Sequence, residues 1–391
     1  MKIAVGLSGG VDSAVAVAIL VEQGYEVTGV FLECWNEPGC RTDQDRQDAL
    51  GVALKLKIPF RVLDFKKEYK QKVLEWFYRE YKAGRTPNPD VICNREIKFG
   101  MFLEWALKNH FDYVATGHYA QIGFSSTRQH CPRLQKLSLQ RLRAGAPVYL
   151  LQSVDKQKDQ TYFLALLKPE QLEKVMFPIG HLNKKQVRLE AKKRGFKIWD
   201  KKDSTGICLI GHDYSFEEFL QRRIKEHKGE VVNKKGAVVG RHKGVEFYTI
   251  GQRHNFEITE KSTKRPRYFV VGKDMKKNLL MVGNKQDLAR KEFEVEGWGG
   301  IHPLKIAKNL KNKGHSPLEL LVRIRHQGRL VPCKIEGKRV ILEKVEYGIA
   351  PGQVAVIYQT EGLDPSECLG GGVISSGFVA DDLGQYDSSY R

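Results

Sequence analysis

The stretch SGGVDS, residues 8–13, follows a short apolar run from Lys2 to Leu7 and opens a segment with helical spacing, Val11 to Gln23. Two adjacent glycines let the backbone turn several N–H groups toward one point. The start of a helix adds a partial positive charge there. The hydroxyl groups of Ser8 and Ser13 can donate hydrogen bonds to phosphate oxygens. This stretch therefore predicts an anion-binding loop between a strand and a helix.

The same loop excludes the most familiar nucleotide site. The Walker pattern GxxxxGK[ST] requires a lysine after the glycines, and none follows Gly10. Asp12 can either hold Mg²⁺ or cap the helix. A well-capped turn without a ligand is the structural alternative, but the position in the first strand–helix unit favours a phosphate loop.

Strand and helix patterns alternate over roughly the first 120 residues. The predicted strands after the first are Glu26–Leu32, Phe60–Asp64 and Tyr113–Thr116. The predicted helices after the first are Asp43–Leu56, Glu68–Lys82 and Lys98–Asn109, and residues 169–197 are predicted to be helical with breaks at Gly180 and Gly195. Repeated β-α units indicate an α/β fold with a parallel, doubly wound sheet.

The pattern changes at about Lys228, where short strand-like runs alternate with glycine turns. These runs are Glu230–Val232, Ala237–Val239, Phe247–Ile250, Tyr268–Val271, Leu279–Val282, Leu318–Arg325, Val340–Lys344 and Val354–Tyr358. Such runs are typical of small β domains or barrels. We therefore expect a catalytic domain over 1–211, a small β-rich central domain over 212–284 and a β-barrel over 285–391. The basic stretches Phe124–Ala146 and Lys305–His315 are predicted surface segments.

The composition points to an anionic partner. The 391 residues include 65 Lys+Arg and 46 Asp+Glu, a difference of +19, and 41% of them are hydrophobic. A globular chain with this charge suits a nucleic acid. The basic segment 184–202 holds nine Lys/Arg against two acidic residues and would supply phosphate contacts. The apolar run Ala14–Val21 is too short to span a membrane, so we expect a cytoplasmic monomer without a membrane partner.

Cysteine spacing favours reactive thiols over a structural framework. The seven cysteines are odd in number and widely spaced, and none forms a CxxC pair. Cys93 and Cys208 both lie in polar, loop-like settings, and Asp90 precedes Cys93 by three residues. The alternative, a small buried hydrophobe, fits Cys333 and Cys368 better because apolar residues flank them.

Eight motifs occur in order along the chain: SGGVDS, GRTPNPDVICNREIKF, ATGHYAQ, KDQTYFL, DSTGICLIG, TIGQRHNF, APGQVAV and CLGGGVI. In these motifs the sequence resembles the tRNA-specific 2-thiouridylase family, within the ATP pyrophosphatase (PP-loop) superfamily, over nearly its whole length. The resemblance implies a sulfurtransferase that adenylates the C2 oxygen of the wobble uridine with ATP and displaces AMP with sulfur. A flipped-out uridine is expected, because a stacked base is hard to reach.

The resemblance also implies roles for the two thiols. Cys208 would carry a persulfide received from a donor protein. Cys93 would be the partner nucleophile and could close a transient Cys93–Cys208 disulfide. Asp90 would transfer a proton near the uridine, since its charge disfavours a neighbouring thiolate.

The resemblance further implies two sets of binding residues. The ATP site, with Mg²⁺, would use Gly6, Leu7, Ser8, Gly9, Gly10, Val11, Asp12, Ser13, Leu32 and Gly117. The tRNA would contact Asn88, Pro89, Asp90, His118, Lys158, Asp159, Gln160, Arg325, His326 and Gln353.

The sequence departs from the family pattern at three places. Leu32 stands where Met is common, which preserves an apolar wall for adenine. His326 and Gln327 replace the usual aromatic and Arg after Arg325. Cys34 adds a thiol, which leaves an iron–sulfur cluster open as an alternative to a site without a resident metal.

Two other functions compete with this interpretation. One is another PP-loop adenylating enzyme, such as an RNA thiolase for a different base, a ligase or an amidotransferase. The other is a non-catalytic RNA-binding protein on a decayed ATP fold. Release of pyrophosphate from ATP distinguishes the second from an enzyme.

Overall fold

A computed structural model describes residues 1–36, 41–124, 148–203, 215–260, 267–301, 320–359 and 366–376. Two predicted features therefore lie outside the described residues, namely Cys208 and the basic stretch Lys305–His315, as does nearly all of the basic stretch Phe124–Ala146. Among the described residues, no helix combines the length and apolar content that crossing a bilayer requires.

The strands are β1 (Lys2–Gly6), β2 (Glu26–Glu33), β3 (Phe60–Asp64), β4 (Tyr113–Thr116), β5 (Ala120–Phe124), β6 (Val148–Gln152), β7 (Val175–Met176), β8 (Gly229–Val232), β9 (Val238–His242), β10 (Glu257–Ile258), β11 (Phe269–Asp274), β12 (Leu279–Gly283), β13 (Ala289–Gly299), β14 (Leu320–Arg323), β15 (Val331–Glu336), β16 (Arg339–Tyr347), β17 (Val354–Gln359) and β18 (Glu367–Ser376).

The α-helices are α1 (Val11–Glu22), α2 (Thr42–Leu56), α3 (Lys66–Tyr69), α4 (Glu75–Lys82), α5 (Pro89–Cys93), α6 (Phe102–Lys108), α7 (Thr161–Leu164), α8 (Pro169–Leu172), α9 (Lys184–Lys193) and α10 (Phe216–Gln221). π-helical turns connect α3 to α4 (Lys70–Leu74) and α5 to α6 (Asn94–Met101).

The N-terminal sheet is parallel, with strand order β3-β2-β1-β4-β7. Alternate residues of a strand point to opposite faces, and the two hydrophobic clusters follow this rule. Ile3 and Val5 pack in one cluster with α1, α2 and α9, whereas Ala4 packs in the other with α4 and α6. Helices thus cover both faces, which confirms the doubly wound α/β fold.

The strand order reverses beside β1. The chain adds β2 and β3 on one side of β1 and then β4 on the other. Ligands of doubly wound sheets bind at the carboxyl ends of the strands at such a reversal. The end of β1 leads directly into the glycine loop, so the topology places the loop at the expected binding edge.

The central sheet has the order β10-β9-β8-β12-β11. Its buried residues Val231 and Leu280 share a hydrophobic cluster with Phe77 of α4, so this sheet packs on the catalytic domain. The predicted strand Phe247–Ile250 is wrong. A 3₁₀ turn, Val245–Phe247, follows Gly244 at φ 139° and ends at the first residue of the predicted strand.

The C-terminal strands close into a barrel, as predicted. They pair in the order β13-β16-β15-β14-β17-β18, and β18 also pairs with β13. The hairpin β5–β6 of the catalytic domain extends this sheet through β18, where Leu150 pairs with Cys368. A single sheet therefore joins the first and last domains.

Some elements were not anticipated from the sequence. β13, β15 and β18 were missed, although Val331, Cys333 and Ile335 of β15 and Phe293 and Val295 of β13 alternate with more exposed residues. In the predicted helical stretch 169–197, Val175–Met176 instead forms β7, the outer strand of the parallel sheet. Two residues are too few to show a strand pattern, and β4 recruits them through pairing.

Candidate active site

The glycine loop folds back on the first turn of α1. The Ser8 N–H donates to Ser13 Oγ at 3.1 Å, and the Ser8 and Ser13 hydroxyl oxygens lie 3.2 Å apart. Ser13 Oγ in turn donates to the Gly10 carbonyl at 3.0 Å. These bonds hold both hydroxyl groups at the helix N-terminus, where an anion is favoured.

Two glycines of this region cannot carry a side chain. Gly9 has φ +75°, and a Cβ on it would lie 2.2 Å from the Asp45 carbonyl oxygen. A Cβ on Gly117 would lie 2.6 Å from the Ser13 backbone nitrogen. Gly117, which follows β4, therefore packs directly against the start of α1 beside Ser13.

The remaining predicted ATP residues lie along the same edge. Gly6 ends β1 and pairs with Val30 of β2 and Thr116 of β4. Leu32, two residues beyond Val30, is partly buried against the cluster on one face of the sheet. The structure brings these residues to the carboxyl edge around one loop.

A lysine reaches the loop from a distant part of the chain. Lys184 Nζ lies 2.8 Å from each carboxylate oxygen of Asp12, and the Tyr119 hydroxyl donates to the same carboxylate at 2.7 Å. Burial and the Asp12 charge raise the pKa of Tyr119, so its hydroxyl stays protonated. Sequence reasoning missed Lys184 and Tyr119. A capping box between Asn183 and Gln186 marked the start of α9 but gave no sign of its target.

A second lysine, Lys201, connects the phosphate loop to α2. Lys201 Nζ donates to the Gly9 carbonyl at 2.9 Å and lies 2.7 Å from Asp45 and 2.5 Å from Asp48 of α2. Its side chain is 15% exposed, so this cation is committed to the interior.

Asp203 gathers three cations of the same region. Lys158, Lys184 and Arg188 lie 2.7, 2.8 and 2.8 Å from its carboxylate. Burial alone raises the pKa of Asp203, but the hydrogen bonds and charges of Lys158 and Lys184 outweigh it and lower the pKa to about 2. Much of the positive charge between 184 and 202 thus has internal partners, and Lys192 Nζ lies 4.7 Å from the centre of the Trp199 ring. Lys185, Lys192 and Lys197 are exposed to solvent.

Cys93 lies in a helix, and the expected loop setting is wrong. The Asn88 side chain caps α5 by accepting from the Asp90 and Val91 N–H groups at 3.1 and 3.4 Å, and Pro89 takes the first position. A polar cap followed by proline is a helix start. Cys93 ends α5 and is 7% exposed.

The thiol is protonated in this environment. Burial raises the pKa of Cys93 to about 12; the Lys98 ammonium opposes that rise, and the charges of Cys34 and Asp90 add to it. Cys34 and Asp90 are therefore close enough to act on this thiol. Lys98 is a site residue to which the sequence analysis gave no role.

His118 lies beside the same lysine. It is 8% exposed, its Nδ1 lies 2.8 Å from Thr116 Oγ1, and its ring contacts Phe99 and Phe177. Burial, reinforced by the Lys98 charge, holds the pKa of His118 well below its usual value. The neutral ring is enclosed by aromatic neighbours.

The predicted tRNA residues 158–160 are tied into the protein. The Asp159 side chain is fully buried, and it accepts from Gln152, Ser153, Thr161 and Arg323. Gln160 Oε1 accepts from the Tyr119 N–H at 2.9 Å. In this structure Asp159 has a structural role that joins the catalytic domain to the barrel.

Three of the predicted tRNA-contacting residues belong to the barrel, and they differ in exposure and in contacts. Arg325 is exposed. The His326 ring lies 4.3 Å from that of Phe163. Gln353 Nε2 donates to the Thr86 carbonyl at 2.8 Å. Arg325 Nη1 donates to the Tyr347 carbonyl at 3.4 Å, but of these three residues only Arg325 is exposed.

No group of three His, Cys, Asp or Glu side chains within the described ranges is arranged to hold a metal ion. Cys208 lies outside those ranges, so its pairing with Cys93 stays a prediction.

Three family models match the chain. They are described as the tRNA methyl transferase HUP domain over residues 1–212, the tRNA methyl transferase PRC-barrel domain over 217–284 and the aminomethyltransferase beta-barrel domain over 302–374.

Full-length relatives are found among characterised proteins. The tRNA-specific 2-thiouridylase MnmA of Streptococcus mutans is 40% identical over 395 residues, covering 98% of each chain. Its namesake from Streptococcus uberis is 39% identical over 388 residues, covering 97% of this chain and 96% of the relative. Among solved structures, the U34-tRNA thiolase NcsA of Methanococcus maripaludis aligns at 20% identity with a TM-score of 0.33, over 54% of this chain and 61% of its own.

Proposed function

The chain belongs to the tRNA-specific 2-thiouridylase family, and we propose that it catalyses ATP-dependent 2-thiolation of the wobble uridine in tRNA anticodons. One observation supports this above the others. The neighbouring residues Gly117 and His118 connect the proposed nucleotide site to the proposed thiol site. Gly117 packs against the phosphate loop at Ser13. The positive charge of Lys98 acts on both the His118 ring and the Cys93 thiol. A nucleotide site and a thiol site thus adjoin one strand end.

The first step is adenylation. The C2 oxygen of uridine attacks the α-phosphorus of ATP, and pyrophosphate leaves. The loop N–H groups and the Ser8 and Ser13 hydroxyls bind the departing phosphates, with the positive end of α1 behind them. The Asp12 carboxylate fits Mg²⁺, since this ion is usually held by one or two carboxylates plus phosphate oxygens. When bound there, Mg²⁺ would neutralise phosphate charge.

The second step replaces the oxygen. The terminal sulfur of a Cys208 persulfide bonds to C2, and AMP departs with the former C2 oxygen. The Cys93 thiolate then attacks Cys208 Sγ and breaks the persulfide S–S bond. This leaves 2-thiouridine and a Cys93–Cys208 disulfide, which a cellular thiol reductant reopens. A donor protein must then restore the persulfide.

Cys93 must lose its proton for this attack. Its raised pKa keeps the thiol unreactive at rest. Asp90 is the nearby acid/base group, and Lys98 stabilises the thiolate once it forms. The enzyme would thus activate Cys93 only when tRNA rearranges its surroundings.

A basic, monomeric, cytoplasmic enzyme fits this role, with tRNA and a persulfide donor as partners. Arg325 and the exposed lysines Lys185, Lys192 and Lys197 are the proposed phosphate contacts. An iron–sulfur cluster involving Cys34 remains the alternative sulfur chemistry, and it would show as iron in the purified protein.

The test measures 2-thiouridine directly. The purified protein, preloaded with persulfide, is mixed with Mg²⁺·ATP and unmodified tRNA, and nucleosides are quantified by mass spectrometry. We expect 2-thiouridine from wild type, none from Cys93→Ser or Cys208→Ser, and unchanged tRNA binding by both variants. Full thiolation by Cys208→Ser would reject the persulfide role. Absence of tRNA-dependent pyrophosphate release would favour a non-catalytic RNA-binding protein.

A further inference from the structure

The six residues 83–88, which connect α4 to α5, are held in part from outside their own domain. The Thr86 N–H donates to the Pro351 carbonyl at 2.7 Å, and the Thr86 carbonyl accepts from Gln353 Nε2 at 2.8 Å. Pro351 and Gln353 lie just before β17 of the barrel. Both backbone polar groups of Thr86 are therefore satisfied by the barrel.

Glycines make these contacts possible. Gly352 has φ +94°, and a Cβ on it would lie 2.7 Å from the Thr86 nitrogen and 3.0 Å from Arg85 Cβ. Gly84 has φ +76°, and its Cβ would lie 2.5 Å from Met275 Sδ of the central domain. The connection is thus closely packed by two other domains.

The central domain adds a side-chain bond. The hydroxyl oxygens of Thr86 and Thr249 lie 3.0 Å apart. The Thr249 N–H donates to Gln252 Oε1, which fixes this turn of the central domain. Thr86 is therefore a junction of all three domains.

The junction lies two residues before the cap of the Cys93 helix. Asn88 caps α5, which ends at Cys93 and continues through the π-helical turn Asn94–Met101 into α6. The first turn of a helix has N–H groups without intrahelical partners, so the position of this helix start depends on the residues that cap and hold it. A displacement of Thr86 is transmitted through Asn88 to Asp90 and Cys93.

Gln353 is also linked, through Tyr162 and Phe163, to Asn94, the residue after Cys93. Its Oε1 accepts from the Tyr162 hydroxyl at 3.4 Å. Phe163, the next residue, accepts through its carbonyl from Asn94 Nδ2 at 3.1 Å, and Asn94 is 2% exposed. The Gln353 amide is thus linked through Nε2 to Thr86, which precedes α5. Through Oε1, Tyr162 and Phe163 it is linked to Asn94, which directly follows α5.

We propose that Gln353 is a positioning residue. From the barrel it holds Thr86 in place, and through Thr86 it positions Asp90 and Cys93. The sequence resemblance instead implied a direct tRNA contact at Gln353. The two roles predict different kinetics, because positioning acts on the rate of the bound complex and a direct contact acts on its affinity. This inference rests on the proposed function for its kinetic test.

The experiment compares Gln353→Met with wild type, with Gln286→Met as matched control because Gln286 is an exposed glutamine in the turn before β13. Single-turnover thiolation at saturating tRNA should fall at least about tenfold in Gln353→Met, because small misplacements of reacting groups are costly. The tRNA dissociation constant should stay within about twofold, since no RNA contact is lost. An affinity loss of about tenfold with an unchanged single-turnover rate would overturn the proposal and restore the direct contact.

A second readout does not need activity. Alkylation by iodoacetamide, followed at each cysteine by mass spectrometry, should accelerate at Cys93 in Gln353→Met and not at Cys333 or Cys368, which are buried in the barrel. Unchanged alkylation at Cys93 would count against the proposal even if the protein thiolated no tRNA. Thr86→Val, which loses only the hydroxyl bond to Thr249, should show the same selective acceleration to a smaller degree. The Thr86→Val variant therefore provides a second test if Gln353→Met folds poorly.

Discussion

Lys184 Nζ lies 2.8 Å from both carboxylate oxygens of Asp12, although 172 positions separate the two residues in the chain. The same ammonium group lies 2.8 Å from Asp203. Whereas a Walker lysine comes from within its own loop motif, this lysine reaches the loop from the first residue of α9. It also connects the loop to Asp203, the first residue of the DSTGIC motif, which carries Cys208.

Removal of this cation should weaken nucleotide binding. In Lys184→Met, Asp12 loses its charge partner and repels the phosphates, so the ATP dissociation constant should rise about tenfold or more, as for a lost charged hydrogen bond. Equilibrium dialysis with labelled ATP measures it. Lys185→Met, at the exposed neighbour, should bind ATP like wild type. Equal affinities for all three proteins would show that Lys184 does not serve the nucleotide site.

An added methyl group at Gly117 should displace the phosphate loop. The new Cβ would lie 2.6 Å from the Ser13 nitrogen, which backbone atoms cannot tolerate without moving. We expect tRNA-dependent ATP–pyrophosphate exchange to fall about tenfold or more in Gly117→Ala, because the loop no longer matches the phosphates. Gly51→Ala, on an open face of α2 with nothing within 4 Å, is the control. Normal exchange by Gly117→Ala would mean that the β4 end does not shape the site.

The Cys93 thiol should titrate far above neutral pH. Its pKa is raised to about 12, so the reactive thiolate fraction, and with it the alkylation rate, should grow about tenfold per pH unit between pH 7 and 10. Lys98→Met should slow the reaction at every pH in this window, because the opposing positive charge is gone. Site-resolved mass spectrometry of iodoacetamide adducts measures both. A plateau at or below pH 9 would show a thiol that burial does not control.

Asp159 should matter for stability. Its buried carboxylate pairs with Arg323 Nη1 at 2.9 Å across the domain boundary. In Asp159→Asn the guanidinium stays buried without its counter-charge, so the free energy of unfolding should fall by about 3 to 5 kcal/mol. Urea denaturation measures it, with exposed Asp200→Asn as control.

The double variant Asp159→Asn/Arg323→Met should recover part of that loss, because it removes the stranded charge as well. Wild-type stability of Asp159→Asn with weakened tRNA affinity would instead support the direct tRNA contact implied by the sequence.

Local sequence patterns were sufficient for the parts of the fold that depend on near neighbours. Strand–helix alternation gave β1 to β4 and the doubly wound sheet, and β3 and β4 match their predicted bounds. The glycine loop was identified because its backbone freedom and its hydroxyls are encoded within six residues. Local patterns were misleading at Cys93, where polar neighbours had suggested a loop but Asn88 and Pro89 start a helix.

The sequence by itself determined the fold class, the phosphate loop and, through ordered motifs, the family. Only the tertiary structure decided which distant polar groups meet. It assigned Lys184 to Asp12, Arg323 to Asp159 and Gln353 to Thr86, three pairs separated by more than 160 positions. It also buried Cys93 and closed the barrel on β13. The physical reason is that backbone geometry follows from a residue's neighbours in sequence, whereas a long side chain finds its partner, and a thiol its pKa, only from what folding packs around it.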